Sequence, residues 1–377
     1  MNPKPYLDHF PLSIASGEAF CNRIDETTFL KTCIEHQRPV LLISPRRYGK
    51  TSLALHAIHQ TKLPYAHIDF FSAIDERDIE RIILNGVGKL LSSMESLPQK
   101  ALSLATEILD GSRVRAVLSK VGVSIEIDNK VEKPSQNILD VLERLEKLAI
   151  KTNKKFILFF DEFQCIGEVA PDQAMESVLR QVAQLTKSIS FIFSGSNRHL
   201  LNQLFDDRKR PFYKLCERMA IQRISKEDYE SHIQRSALNA WEGELDSETL
   251  NTLFICSERH PYYLNLLCSR MLIGKDKPTA ESIKKIWGNY VREERSSVAS
   301  EIDLLSKNQK KLLTILSRIN GTFSPLGNDF IQISKMSKTS IDQALTFLDR
   351  HDYIIKRDDG FISVLDPLIR ETLSMNC

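Results

Sequence analysis

One segment constrains this chain more than any other: residues 38–52, RPVLLISPRRYGKTS. The apolar run 40–43 reads as a buried strand, and residues 50–59 read as a helix. The turn between them has the makings of an anion cradle. Backbone N–H groups and a helix N-terminus must wrap phosphate there, and Gly49 stands where a side chain would collide. In this reading Lys50 reaches the β and γ phosphates, and the Thr51 hydroxyl ligates magnesium. Ser44, Pro45, Arg46, Arg47, Tyr48 and Ser52 complete the loop. Ser44 occupies the place of the strict motif's first glycine, so the pattern departs by one residue. The plain alternative, a basic helix start after a strand, leaves the order of strand, Gly-Lys-Thr and helix unexplained.

A second strand follows at 65–71, YAHIDFF, and others at 155–163, 190–194 and 219–224. Helical patterns separate them: 75 to about 120 is mostly helical, 137–150 places Ile138, Leu142, Leu145 and Leu148 on one face, and 172–186 follows. The alternating run 121–128 reads as a small strand on an insertion. Strands and helices in this rhythm predict a parallel sheet covered on both faces. From residue 225 the strand pattern stops. A helical block runs to about 295, with 289–311 a charged helical connector. The last block offers helices at 309–319, 328–333 and 339–351, then IIKR and FISVL around the turn Asp358-Asp359-Gly360. That is the layout of a winged helix. With 377 residues, two to three domains are expected at about 150 residues each. The patterns divide them as a sheet core at 1–224 with a helical insertion at about 72–136, a helical lid at 225–300 and a winged helix at 301–377.

The 155–163 strand ends in Asp161-Glu162, about 110 residues after Lys50. An Asp at such a strand end orients hydrated magnesium in P-loop ATPases, and an adjacent Glu activates the attacking water. Two carboxylates capping the next helix would look the same in isolation. The strand 190–194 ends in polar residues, where Ser196 or Asn197 is placed to touch the γ phosphate or the water; Ser196 also reads as a helix N-cap. A guanine-selecting Asn-Lys-x-Asp does not follow the acidic strand, since Asn129-Lys130-Val131-Glu132 precedes it and ends in Glu. Adenine is therefore the expected base, and ATP with Mg2+ the expected ligand pair.

The ordered set EAFCNRIDET (18–27), SPRRYGKTSL, FFDEFQ, FSGSNRHL, KRPFY (209–213), RHPYYLNLLC (259–268) and DPLIRETL (366–373) resembles the archaeal-type ATPase family. This is the MNS group of the STAND NTPases, relatives of AAA+ proteins. The resemblance spans nearly the whole chain. It implies an α/β P-loop NTPase sheet of the ASCE type, a helical lid and a C-terminal winged helix, and an ATPase activity. It also implies that Asp161 and Glu162 are the magnesium and water residues, that His260-Pro261 approach the nucleotide, and that Asn22-Arg23 lie near the adenine. The family's glycine-containing version of the lid motif is replaced here by Arg259-His260-Pro261, where Arg259 reads either as a phosphate contact or as a solvated helix start. Arginine fingers in such enzymes are worth roughly 10³–10⁵ in rate. Arg208, Arg210 and Arg218 are the candidates, with Arg210 the one assigned to the site, although DDRKR also reads as a solvated face. A finger acting in trans would require a homo-oligomer.

Charge narrows the partners. The chain carries 51 Lys and Arg against 49 Asp and Glu, for a net charge of +2. From Glu301 to Cys377 there are ten basic and ten acidic residues, a poor electrostatic footprint for DNA. A protein partner is expected in trans, with DNA a weaker possibility. No apolar run approaches the roughly 18 residues of a membrane span, and MNPKPYLDHF carries no visible secretory signal. Seven scattered cysteines with no metal spacing read as reduced thiols in a cytoplasmic protein. Three functions stay open: a nucleotide switch coupled to a partner, a DNA-associated regulator or mobile-element ATPase, and a nucleotide-locked scaffold with little turnover.

Overall fold

A computed structural model describes residues 8–375 except 96, 111–113, 120–121, 128–132, 171, 275 and 358. The sequence 129–132, Asp358 and Cys377 thus lie outside the described residues. The chain forms two compact units, one of residues 23–222 and one joining 223–375 to the segment before residue 23.

In the first unit the elements in order are α1 (Ile24–Glu35), β1 (Val40–Ile43), α2 (Lys50–Thr61), β2 (Tyr65–Asp69), α3 (Glu76–Ser93), α4 (Pro98–Leu109), β3 (Val114–Ser119), β4 (Gly122–Ile127) and α5 (Pro134–Thr152). There follow β5 (Phe156–Asp161), α6 (Gln164–Val169), α7 (Ala174–Leu185), β6 (Ile189–Gly195), α8 (Arg198–Asp206) and β7 (Glu217–Ala220). Five strands form one parallel sheet in the order β2-β5-β6-β1-β7. β6 thus separates the loop strand from the acidic strand. Every residue of β5 and β6 is buried, because helices cover both faces and no alternation is possible. Register aligns the chemistry: Ile43 pairs with Gly195, and Asp69 pairs with Asp161, all at the C-terminal edge. Phe163, Phe193, Phe205 and Phe212 form a block beneath that edge, with ring centroids 4.7 to 5.8 Å apart. Burying each such ring contributes about 1.5–3 kcal/mol, so the strand ends that carry the polar residues sit on a stiff base.

The stretch expected to be helical up to about residue 120 is corrected at its end. β3 is a strand, paired antiparallel with β4, Ala116 opposite Ile125. Its two valines favour a pleated, half-buried surface over a helix; α4 packs against β3, and α3 packs against its partner β4. Ser92 Oγ accepts from Val123 N at 2.7 Å, and a Cβ on Gly88 would lie 2.5 Å from the Val123 carbonyl, so the close approach requires glycine.

The second unit contains α9 (Lys226–Trp241), α10 (Ser247–Ser257), α11 (Pro261–Ile273), α12 (Ala280–Asp303), α13 (Lys307–Arg318), α14 (Asn328–Ser334), α15 (Lys338–Arg350), β8 (Ile354–Lys356), β9 (Ile362–Val364) and α16 (Pro367–Ser374). α12 runs unbroken past residue 300, and Ser306 then opens α13 with a capping box. β8 and β9 form a two-stranded ribbon, joined by a bridge from Thr322 to Ile362. One apolar core runs from Phe10 through Leu253, Trp287, Leu312 and Ile341 to Leu373. Asp366 locks α16 into it: the carboxylate accepts from Leu368 N at 2.7 Å and from the Tyr263 hydroxyl at 2.8 Å. Among the described residues no helix is long and apolar enough to cross a membrane.

Candidate functional site

The site begins with a backbone requirement. The turn after β1 places Arg47 and Gly49 in the left-handed region, with φ of 62° and 89°. The space beside Gly49 is open, with no atom within 4 Å of an added Cβ, so the protein itself demands glycine for its φ rather than for room. α2 starts at the next residue, with the free N–H groups and positive dipole end that favour an anion. Lys50 is buried, and its Nζ donates to the Ser44 and Pro45 carbonyls at 3.1 Å each and to Ser44 Oγ at 3.4 Å. The ammonium is thus folded over the loop it would serve. Ser44, Pro45 and Tyr48 are buried, while Arg46 and Arg47 are exposed.

Arg23 is tucked beneath the same loop. Its guanidinium donates to the Gln222 carbonyl at 2.6 Å and the Tyr48 carbonyl at 3.4 Å, and pairs with Glu26 at 2.8 Å. It therefore ties the loop to the start of α1 and the segment after β7.

Thr51 and Asp161, expected to hold one cation, meet directly: Thr51 Oγ1 donates to Asp161 Oδ2 at 2.7 Å. Ser194 Oγ donates to Asp161 Oδ1, and His67 Nε2 lies 3.4 Å from Oδ2. Burial pushes the Asp161 carboxyl up, but the hydrogen bonds from His67, Ser194 and Thr51 outweigh it and leave it below the usual carboxylate range. A hydroxyl and an ionised carboxylate are hard oxygen donors, and this pair fits magnesium, which keeps several waters of its own.

Glu162 follows with φ of 51°, in the left-handed region. Its Oε2 accepts from Ser196 Oγ at 2.7 Å and Ser196 N at 3.2 Å, and from the Gln164 amide. Ser196 is linked in turn to the loop, since Arg46 Nε donates to its Oγ at 3.4 Å. The helix cap expected at Ser196 belongs to Asn197, whose Oδ1 accepts from Leu200 N at 3.0 Å. His67 and the Arg46–Ser196 link escaped the sequence reasoning, and Gln164 stood in the FFDEFQ motif without a role of its own. A signal for His67 existed: it alternates with Ala66 and Ile68 on β2 and shares a face with Asp69.

The three arginines part company. Arg218 pairs with Asp206 at 2.9 Å and with Asn202 at 3.1 Å. Arg210 pairs with Glu176 of α7 at 2.8 Å. Arg208 is exposed and has no partner among the described residues. Burial pushes the Glu176 carboxyl up to about 7, against the pull of Arg210. The folded chain therefore retains a proton that the unfolded chain gives up near 4.5. That contribution to stability is complete below the unfolded value and is lost as pH rises to about 7. Glu176→Gln should cancel the loss, so its urea midpoint should gain on wild type between about pH 5 and about pH 7.5. A constant difference across that window would rule the effect out.

In the second unit, His260 is a buried N-cap preceding Pro261 at the first position of α11, and its ring lies 4.9 Å from that of Tyr263. Arg259 Nη1 donates to the Ile224 carbonyl at 3.2 Å.

No protein-family model matches the sequence, and no curated protein matches it. Among solved structures, the chain is similar to a Walker-type ATPase of Pyrococcus abyssi, with a TM-score of 0.70 at 18% identity, covering 97% of this chain and 100% of that one. It is also similar to the ORC2 protein of Aeropyrum pernix in ADPNP–ADP complexes, with a TM-score of 0.56 at 13% identity, covering 94% of this chain and 92% of that one. The ORC1 protein of the same organism, in complex with DNA, gives 0.50 at 11% over 98% and 96%. At such identities the likeness establishes the fold alone: an α/β architecture with a five-strand parallel sheet and a helical C-terminal region.

Proposed function

We propose that the chain binds ATP with magnesium and hydrolyses it, and that the nucleotide state is passed to a protein partner. The observation that carries this reading is the direct meeting of Thr51 with Asp161 beside a carboxylate, Glu162, held at the next strand end. Lys50 and the loop amides bind the phosphates, Thr51 and Asp161 hold magnesium, and Glu162 takes the proton of the attacking water. Thr51 and Asp161 would hold the ion, whose chemistry there would be to neutralise phosphate charge. Arg46 gives the switch its coupling: a phosphate that draws its guanidinium away breaks the bond to Ser196, which itself holds Glu162. Arg208, exposed and unpaired among the described residues, is the arginine best free to act on a second copy.

The finer reading is a STAND-type switch whose helical lid and winged helix carry the output. The shared core of the helical and C-terminal segments supports it, because a change felt by one is passed to the other. A protein partner is favoured over DNA because the C-terminal segment is charge-balanced. Incubation with ATP and Mg2+ should release phosphate, GTP should be the poorer substrate, and excess EDTA should stop turnover. Release that persists in EDTA would overturn the magnesium assignment, and a low-salt gel shift with duplex DNA would overturn the preference for protein.

A further inference from the structure

We infer that Gln164 is a positioning residue for the Glu162 carboxylate, a role that rests on the reading of Glu162 as the base. All three of the bonds that the Glu162 carboxylate accepts among the described residues converge on Oε2: from Ser196 N, Ser196 Oγ and Gln164 Nε2. Oε1 accepts none among the described residues, so it is the oxygen left for a water. Ser196 alone would anchor the carboxylate from the β6 side. Gln164, the first residue of α6, anchors it from the other, and two anchors on separate elements fix the plane of the group as well as its position.

The Gln164 side chain serves little else. It is 5% exposed, and its Oε1 has no hydrogen-bond partner among the described residues. A buried amide acceptor left unmatched is a cost to the fold, so stability does not account for the residue. Flipping the amide would set Oε1 against the carboxylate, which fixes the orientation. The neighbouring strand makes room for it: a Cβ on Gly195 would lie 2.0 Å from Gln164 Oε1. Gly195 has an ordinary backbone conformation, so Gly195→Ala is tolerated by the strand and displaces the flexible end of the glutamine.

The test uses the full chain, with ATP and Mg2+, in single-turnover phosphate release and in equilibrium ATP binding. Gln164→Leu keeps the bulk and removes the donor. It should slow turnover by about ten- to a hundredfold, the worth of a hydrogen bond to a charged group, while ATP affinity stays at the wild-type value. Gly195→Ala should reproduce that split with the glutamine still present. Placed on Glu162→Gln, either change should add nothing, because the group being positioned is gone. Wild-type turnover in both variants, faster turnover in either, or losses that multiply with Glu162→Gln would overturn the proposal. If Glu162→Gln itself turned over like wild type, the base assignment would fall and Gln164's role with it. That failure is told apart by the single variant alone.

Discussion

Glu162→Gln should bind ATP as tightly as wild type and release phosphate about 10²–10⁴-fold more slowly, the range that general-base catalysis supplies. In free energy that is about 3–5.5 kcal/mol at the transition state. The substitution is close to isosteric, and the surrounding donors decide how well it is tolerated. Ser196 Oγ and Ser196 N can still donate to the amide oxygen of the new side chain at the Oε2 position. The Lys50, Thr51 and Asp161 contacts are untouched, which is why affinity should hold. What is lost is the basic oxygen, Oε1, which becomes an amide nitrogen unable to take a proton. Phosphate release and nucleotide binding measured on one preparation check both halves. Unchanged turnover would remove Glu162 from the chemistry, whereas lost affinity would place it in binding instead. The variant would also hold the ATP-bound state long enough to recover whatever partner prefers that state.

The geometry of the candidate loop was legible because its demands are local: an apolar run, a left-handed glycine and a helix start lie within 15 residues of sequence in order. Asp161 and Glu162 were legible for a similar reason, since β5 is buried along its whole length and then turns abruptly polar. The links between segments were not. Thr51 and Asp161 are 110 residues apart, and only the parallel sheet brings them to 2.7 Å. Gln164 ends the FFDEFQ motif, but the motif gives it no role; the role proposed for it comes from its bond to Glu162 and the missing side chain at Gly195. The β3 strand was hidden because its six residues are too few to establish a period of two against the helices before it. Arg210 stood in a charged run that gave no hint of its buried partner, Glu176, which lies on α7 more than 30 residues earlier. Local chemistry could be read, and long-range pairing could not.

Lys50→Ala should weaken ATP binding by about ten- to a hundredfold or more, from the loss of one or more hydrogen bonds to charged phosphate oxygens. Two effects combine. The first is direct: the ammonium is the buried positive charge of the loop, and a trianionic or tetraanionic ligand loses it outright. The second acts through the loop. Nζ donates to the carbonyls of Ser44 and Pro45, both buried, and alanine leaves the Ser44 carbonyl unmatched while Pro45 keeps only the Ser44 hydroxyl. An unmatched buried acceptor costs about 1–3 kcal/mol, so the loop should relax away from the geometry that presents its N–H groups. Because the lysine is expected to span the β and γ phosphates, ATP should lose more affinity than ADP. Lys50→Arg should not rescue binding, since a planar fork cannot occupy the place of a compact ammonium packed against two carbonyls. Isothermal titration with both nucleotides, at constant magnesium and ionic strength, measures the difference. Equal ATP affinity in Lys50→Ala and wild type would sink the phosphate-loop assignment, and an equal loss for ADP would confine the lysine to the β phosphate.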